Sequence, residues 1–105
     1  MLLTGGAGFI GSCLLWKLNQ EGIRDIFVVD HLATGEKWKN LVGKTFQEYF
    51  EKDDFIQLVD QGAFRREFDC VVHLGACSSS MEQDIGYLMR NNYLYSVTLC
   101  RWALQ

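Results

Sequence analysis

The chain has 105 residues, of which 49% are hydrophobic, 22% charged and 13% aromatic, and it contains no proline. That balance belongs to an ordinary globular domain and excludes disordered, collagen-like and low-complexity chains. Lys and Arg number 10 against 13 Asp and Glu, for a net charge of −3, so no basic surplus exists to neutralise a phosphate backbone and no nucleic-acid partner is expected.

Apolar runs reach only four residues, at Cys13 to Trp16 and Ile26 to Val29. A bilayer span needs about 20. No basic leader or apolar h-region opens the sequence, so neither a membrane segment nor a secretory signal is expected. The four cysteines, at 13, 70, 77 and 100, form no C-x-x-C pair, and histidine occurs only at 31 and 73. Zinc-ligand spacing is therefore absent. Three of the cysteines lie inside apolar runs, which predicts buried core thiols in a reducing, cytoplasmic compartment.

Taken in chain order, Leu2-Leu3 reads as the end of a buried strand. Ile10, Cys13/Leu14 and Leu18 then recur every three or four residues, predicting a helix from Phe9 to about Gln20 that Gly22 stops. Ile26-Phe27-Val28-Val29 is a second strand buried on both faces. His31 to Phe50 is irregular by pattern, with Gly35 and Gly43 as breakers. Lys52 to Gln61 is helical, with Phe55, Leu58 and Val59 on one face. Cys70 to Leu74 is another buried strand ending at Gly75. Glu82 to Leu104 is a long helix whose apolar positions include Ile85, Met89, Tyr93, Val97 and Cys100. Strand and helix alternate, which predicts an α/β fold: a Rossmann-type doubly wound parallel sheet with right-handed crossovers. Such a domain usually carries about six strands. Residues 1–105 are thus expected to be its N-terminal part, with the remaining strands and a substrate domain elsewhere.

Between the first strand and first helix stands Thr4-Gly5-Gly6-Ala7-Gly8-Phe9-Ile10-Gly11, a G-x-x-G-x-x-G spacing. Gly5 allows a tight turn, Gly8 lets backbone approach a pyrophosphate, and Gly11 permits close helix–strand packing. Asp30 closes the second strand 19 residues after Gly11, near the distance of about 20 expected for a carboxylate at an adenosine ribose. No Gly-Lys-Ser/Thr follows the glycines, which excludes a Walker loop. The combination predicts a dinucleotide site. Asp30 favours a free 2′-hydroxyl, and the residues alone leave NAD and NADP open.

Thr4-Gly-Gly-Ala-Gly-Phe-Ile-Gly-Ser12 resembles the extended short-chain dehydrogenase/reductases, the sugar-nucleotide epimerases and dehydratases. Val71-Val72-His73-Leu74-Gly75-Ala76 is similar to the fourth strand of that family. Gly75-Ala76-Cys77-Ser78-Ser79, then Glu82 and Asn91-Asn92-Tyr93, resemble its ADP-heptose 6-epimerase branch, as do Val28 to Leu32 with Gly35, Lys37, Asn40 and Leu41. The likeness covers the whole chain, about the first third of such an enzyme. His31 departs from a common asparagine, and Leu74 from a glutamate of some members.

The resemblance implies that Phe9 and Ile10 offer backbone N–H groups to the pyrophosphate. It places Asp30 and His31 at the adenosine ribose, Lys37 near a 2′-phosphate, and Lys52 on the adenosine side. Leu74, Gly75, Ala76, Cys77 and Ser78 would line the ribose and nicotinamide half, and Asn91 the middle. Both lysines could instead be solvated surface charges, Lys52 more readily than Lys37. The family tips the cofactor towards NADP. It also implies an ADP-heptose sugar nucleotide as substrate, transient oxidation and re-reduction at carbon six for lipopolysaccharide heptose supply, and a homo-oligomeric full-length protein. Its Tyr-x-x-x-Lys catalytic pair is missing here, since Tyr49, Tyr87, Tyr93 and Tyr95 are followed four residues on by Asp53, Asn91, Val97 and Leu99. No catalytic residue is expected in this chain. Another epimerase or dehydratase of the family, or a non-catalytic dinucleotide-binding regulator, are the alternatives.

Overall fold

The computed structural model describes residues 1–62, 68–75 and 84–104. Strands β1 (Leu2–Thr4), β2 (Phe27–Asp30), β3 (Glu48–Glu51) and β4 (Val71–His73) form one sheet in the order β3-β2-β1-β4, and every pair is parallel. Helix α1 (Phe9–Gln20) joins β1 to β2, and α2 (Lys52–Asp60) follows β3. After β4 runs a helix in three pieces: α3 (Ile85–Leu88), a π-helical stretch (Met89–Leu94) and α4 (Tyr95–Ala103). This is the α/β Rossmann-type parallel sheet that the strand–helix alternation predicts.

Side chains along a strand alternate between faces, and both faces of β1 and β2 are covered. Leu2, Phe27 and Val29 pack with Phe55 and Val59 of α2 and Tyr95 and Leu99 of α4. Leu3 and Val28 point the other way, onto Leu15 of α1 and Ile26. A continuous apolar run is therefore required at Ile26 to Val29, as its sequence shows.

Several expectations are corrected. The stretch 31–50 is not irregular throughout: Lys37–Leu41 form a 3₁₀ turn, and β3 begins at Glu48. This strand lies at an edge of the sheet with a half-exposed face, so glutamates at both ends replace the apolar run of a central strand. Strand β4 is half-buried rather than fully buried, because β1 is its sole neighbour among the described residues. The inward faces of two helices also differ. In α1 the buried positions are Gly11, Ser12 and Leu15, while Ile10 is 69% exposed, because Gly11 must press against the glycine turn. After β4, Asn91, Tyr95 and Leu99 face the core, and Ile85, Met89 and Tyr93 face outward. Asn91 and Tyr95 face inward because both bond Lys52 of α2: Asn91 Oδ1 accepts from its ammonium and the Tyr95 hydroxyl donates to its carbonyl at 3.0 Å. The same orientations leave Cys13 and Cys100 exposed, and Cys70 is exposed just before β4, so these three free thiols are not core residues.

Helix α1 ends as expected. Gly22 adopts φ +83°, and the Ile23 N–H reaches the Leu18 carbonyl at 2.9 Å, closing a left-handed C-terminal cap. Asp84 caps α3 by accepting from the Tyr87 N–H at 3.0 Å. No helix among the described residues is long and apolar enough to cross a membrane.

Candidate functional site

The carboxyl ends of β1, β2 and β4 converge on a cleft of about 220 Å³. Its walls include Gly5, Gly8, Asp30, His31, Lys37 and Lys52, together with Leu74, Gly75 and Asn91. Nine residues singled out from sequence thus meet in one place. Phe9 and Ile10 open α1 with side chains 82% and 69% exposed, so only their backbone can serve the cleft. Gly11 lies beneath it, buried. Ala76, Cys77 and Ser78 fall outside the described residues.

Each glycine of the turn has a separate steric reason. Gly5 adopts φ +74°, and a Cβ there would come within 2.7 Å of the Leu74 carbonyl carbon. A Cβ on Gly11 would lie 2.0 Å from the Gly5 carbonyl oxygen, which enforces close packing of α1 on the turn. Gly8 is different: a Cβ would meet nothing nearer than the Gly5 oxygen at 3.4 Å. The fold itself has room for a Cβ at Gly8, so the bareness of this position serves the space in front. Gly8 is also the N-cap of α1, and no side chain caps that end. Free N–H groups and the helix dipole therefore face the cleft, the arrangement that binds a pyrophosphate. A dinucleotide fits this donor set.

Asp30 is buried, at 6% exposure, and ties three elements together. One carboxylate oxygen accepts from the Ala7 N–H at 2.8 Å. The other accepts from the His31 N–H at 2.6 Å and from the Lys37 ammonium at 2.5 Å. Asn40 donates to the Ala7 carbonyl at 2.7 Å, so the 3₁₀ turn grips the same glycine loop. Lys37 is thus no free surface charge but the counter-ion of Asp30. Lys52 likewise donates to Asn91 Oδ1 and lies 5.3 Å from the Tyr87 ring centroid.

Pattern reading missed three contributors. The Thr4 hydroxyl accepts from the N–H groups of Leu74 at 3.0 Å and Gly75 at 3.1 Å. Its own proton is left for His73 Nδ1 at 2.5 Å, so His73 Nε2–H donates to Ser96 Oγ at 2.9 Å. Burial pushes the His73 imidazole below its ordinary value, in keeping with a neutral ring. Thr4 stood in the motif as a flanking residue, and nothing in the spacing shows its reach across to β4. Tyr49 and Glu51 are the others. Tyr49 donates to Glu51 Oε2 at 2.7 Å and approaches the Asp30 carbonyl at 2.9 Å, while Glu51 Oε1 lies 2.6 Å from His31 Nδ1. Their alternation in Glu48-Tyr49-Phe50-Glu51 was the available signal.

A parallel sheet with a glycine turn, an open helix start and a strand-end carboxylate defines a dinucleotide-binding α/β protein. The chain belongs to the NAD dependent epimerase/dehydratase family, whose model matches residues 1–105. Among curated relatives it is 50% identical over 104 residues to the ADP-L-glycero-D-manno-heptose-6-epimerase of Nitratidesulfovibrio vulgaris. That match covers 99% of this chain and 32% of the relative. The enzyme of the same name from Alkalilimnicola ehrlichii is 47% identical over 103 residues, covering 98% and 32%. The chain therefore spans about a third of the length of these relatives. A crystal structure of UDP-galactose 4-epimerase superposes with a TM-score of 0.72 at 30% identity, covering 97% of this chain and 33% of the other.

Proposed function

We propose that residues 1–105 are the N-terminal part of an NAD(P)-binding domain in an ADP-heptose 6-epimerase, and that they hold NADP in preference to NAD. One observation carries the cofactor part: Gly8 is open towards the cleft while Gly5 and Gly11 are sterically closed, so backbone is bared where a pyrophosphate would lie. The substrate part rests on relatives identical to this chain at about half of its own positions.

In this reading the N–H groups of Phe9 and Ile10 meet the pyrophosphate. Asp30 and His31 face the adenosine ribose. Lys37 supplies a point charge to a 2′-phosphate, offsetting the repulsion from Asp30, to which it already pairs. Lys52 and Asn91 hold the adenosine side and the middle of the cofactor. Leu74 and Gly75 border the nicotinamide half, a role extended on sequence grounds to Ala76, Cys77 and Ser78. Bound nicotinamide supplies reversible hydride acceptance at carbon six of the heptose. The chain's own part is orientation and electrostatics; the acid/base pair would come from outside residues 1–105. Heptose for lipopolysaccharide, a cytoplasmic location and a homo-oligomeric state accompany that reading.

The test is the full-length protein, titrated with NADP and NAD and assayed on ADP-glycero-manno-heptose. Expected are tighter binding of NADP and inversion at carbon six without net cofactor reduction. Failure to bind either dinucleotide would remove the whole reading. Turnover of UDP-galactose with none of the heptose would move the protein to another branch of its family.

A further inference from the structure

Two walls of the cleft come from separate elements: the end of β4, with Leu74 and Gly75, and the last helix, with Asn91 and Tyr95. A chain of neutral hydrogen bonds joins them through His73, which itself lies outside the cleft walls. Side chains alternate along β4, so Val71 packs with the α2 and α4 core and Val72 with the α1 core. His73 then turns back towards α4. An apolar residue there would continue the packing. The imidazole instead stacks on Tyr95, with ring centroids 5.9 Å apart, and uses both of its nitrogens.

The protons of this chain run in one direction. Thr4 Oγ1 accepts from the Leu74 N–H at 3.0 Å and the Gly75 N–H at 3.1 Å, which occupies both of its lone pairs. Its proton is thereby directed to His73 Nδ1. At the far end the Ser96 hydroxyl donates to the Asn92 carbonyl at 2.8 Å, so its oxygen accepts from His73 Nε2–H at 2.9 Å. Both ends demand the same neutral tautomer. Burial, which holds the imidazole below its ordinary value, favours that neutral ring. The chain ends beside the cleft, where Asn91 Nδ2 donates to Asn92 Oδ1 at 2.9 Å.

Resting on the dinucleotide reading above, we propose that His73 is a positioning residue for the nicotinamide half of the cofactor, acting through Thr4 on Leu74 and Gly75. Without an acceptor at Nδ1 the Thr4 proton turns elsewhere, and a lone pair that holds the β4 end is lost. The seat is tight enough for this to matter. A Cβ on Gly75 would lie 3.3 Å from Thr4 Oγ1, and one on Gly5 would lie 2.7 Å from the Leu74 carbonyl carbon. A small slip of the β4 end therefore moves the cleft wall. Ser96 completes the device by holding the ring in the tautomer that Thr4 needs. The adenosine side is independent of it, because Asp30 is bonded to the Ala7 N–H and Lys37 and to nothing on β4 among the described residues.

The experiment uses the full-length protein and whichever of NADP and NAD binds it more tightly. That dinucleotide is compared with the same molecule lacking nicotinamide, 2′-phospho-ADP-ribose or ADP-ribose. The dissociation constant of the shorter compound divided by that of the dinucleotide reads what the nicotinamide half contributes. His73→Leu and Ser96→Ala should each lower this ratio roughly three- to tenfold, the worth of one neutral hydrogen bond. The shorter compound should keep its affinity within about twofold, since its contacts lie on other elements. His73→Asn, whose Oδ1 can stand where Nδ1 stood, should retain more of the ratio than His73→Leu. Ser96→Ala deletes a single hydroxyl and carries the test where His73→Leu does not fold. A merely structural role would weaken both compounds alike, or neither, and either result overturns the inference. A natural protein for which nicotinamide adds no affinity overturns it too. No binding of either compound by the natural protein would overturn the dinucleotide reading as well.

Discussion

At the scale of single residues, the glycine loop separates what the fold needs from what the ligand needs. Gly11→Ala would drive a methyl to 2.0 Å from a backbone oxygen, and backbone has nowhere to retreat. It should cost about 3 kcal/mol or more and be visible as a large drop in Tm of the full-length protein. Gly8→Val should leave Tm nearly unchanged and abolish dinucleotide binding, because its side chain enters free space that the pyrophosphate claims. Retained affinity within about threefold, roughly 0.65 kcal/mol, would show that the pyrophosphate lies elsewhere. Lys37→Ala sets the other limit. It strips the buried Asp30 of its cation, so NADP should weaken by about 1 kcal/mol, while NAD, which lacks the 2′-phosphate, changes little. Equal losses measured for both would mean that Lys37 serves the glycine loop through Asp30 and not the phosphate.

At the scale of elements, the join between β1 and β4 is held by more than its ladder. Thr4→Val keeps volume but orphans the Gly75 N–H and His73 Nδ1 in a site only 2% exposed. A loss of about 2 kcal/mol in denaturant unfolding is expected. The same network predicts a pH effect of defined sign. The His73 imidazole is lowered by burial, so its contribution to stability is complete above the ordinary imidazole value of about 6.5 and drains away as pH falls below it. Tm should therefore decline from pH 7.5 to 5.5 more steeply in the natural protein than in His73→Gln; parallel slopes would show that another group is responsible. Legibility from sequence divides along the same lines. Central strands bury both faces and must be continuously apolar, so Ile26 to Val29 announced itself. Edge strand β3 need satisfy only one face, and its Glu48 and Glu51 look like loop. Helix α1 was placed to the residue, yet its buried face was not, since the closeness demanded by Gly11 outweighs the apolar period. In the site, the motif glycines and Asp30 were readable because their spacing is local. Thr4 with His73, and Tyr49 with Glu51 and His31, meet through neighbouring strands, and register of that kind is absent from a linear pattern.

At the scale of the molecule, apolar surface decides whether residues 1–105 can stand alone. Ile85, Met89 and Tyr93 form an outward stripe opposite the buried Tyr95 and Leu99, so the last helix is apolar on two sides. Phe9 and Leu104 are each 82% exposed, and Trp16 adds a further ring on α1. The two ends of the sheet also differ. Strand β3 carries glutamates that guard an edge, whereas Val71-Val72-His73 of β4 carries no such charge. Expressed by itself, this segment should associate in solution, because exposed patches and an unguarded edge favour contact between copies. It should also fail to epimerise ADP-glycero-manno-heptose, since no tyrosine is followed by lysine four residues later. Light scattering after size exclusion, with a thermal melt, checks the first half: a monomer that melts cooperatively would prove the core sufficient. Turnover above background would overturn the second half and place acid/base chemistry on a residue already inside the cleft.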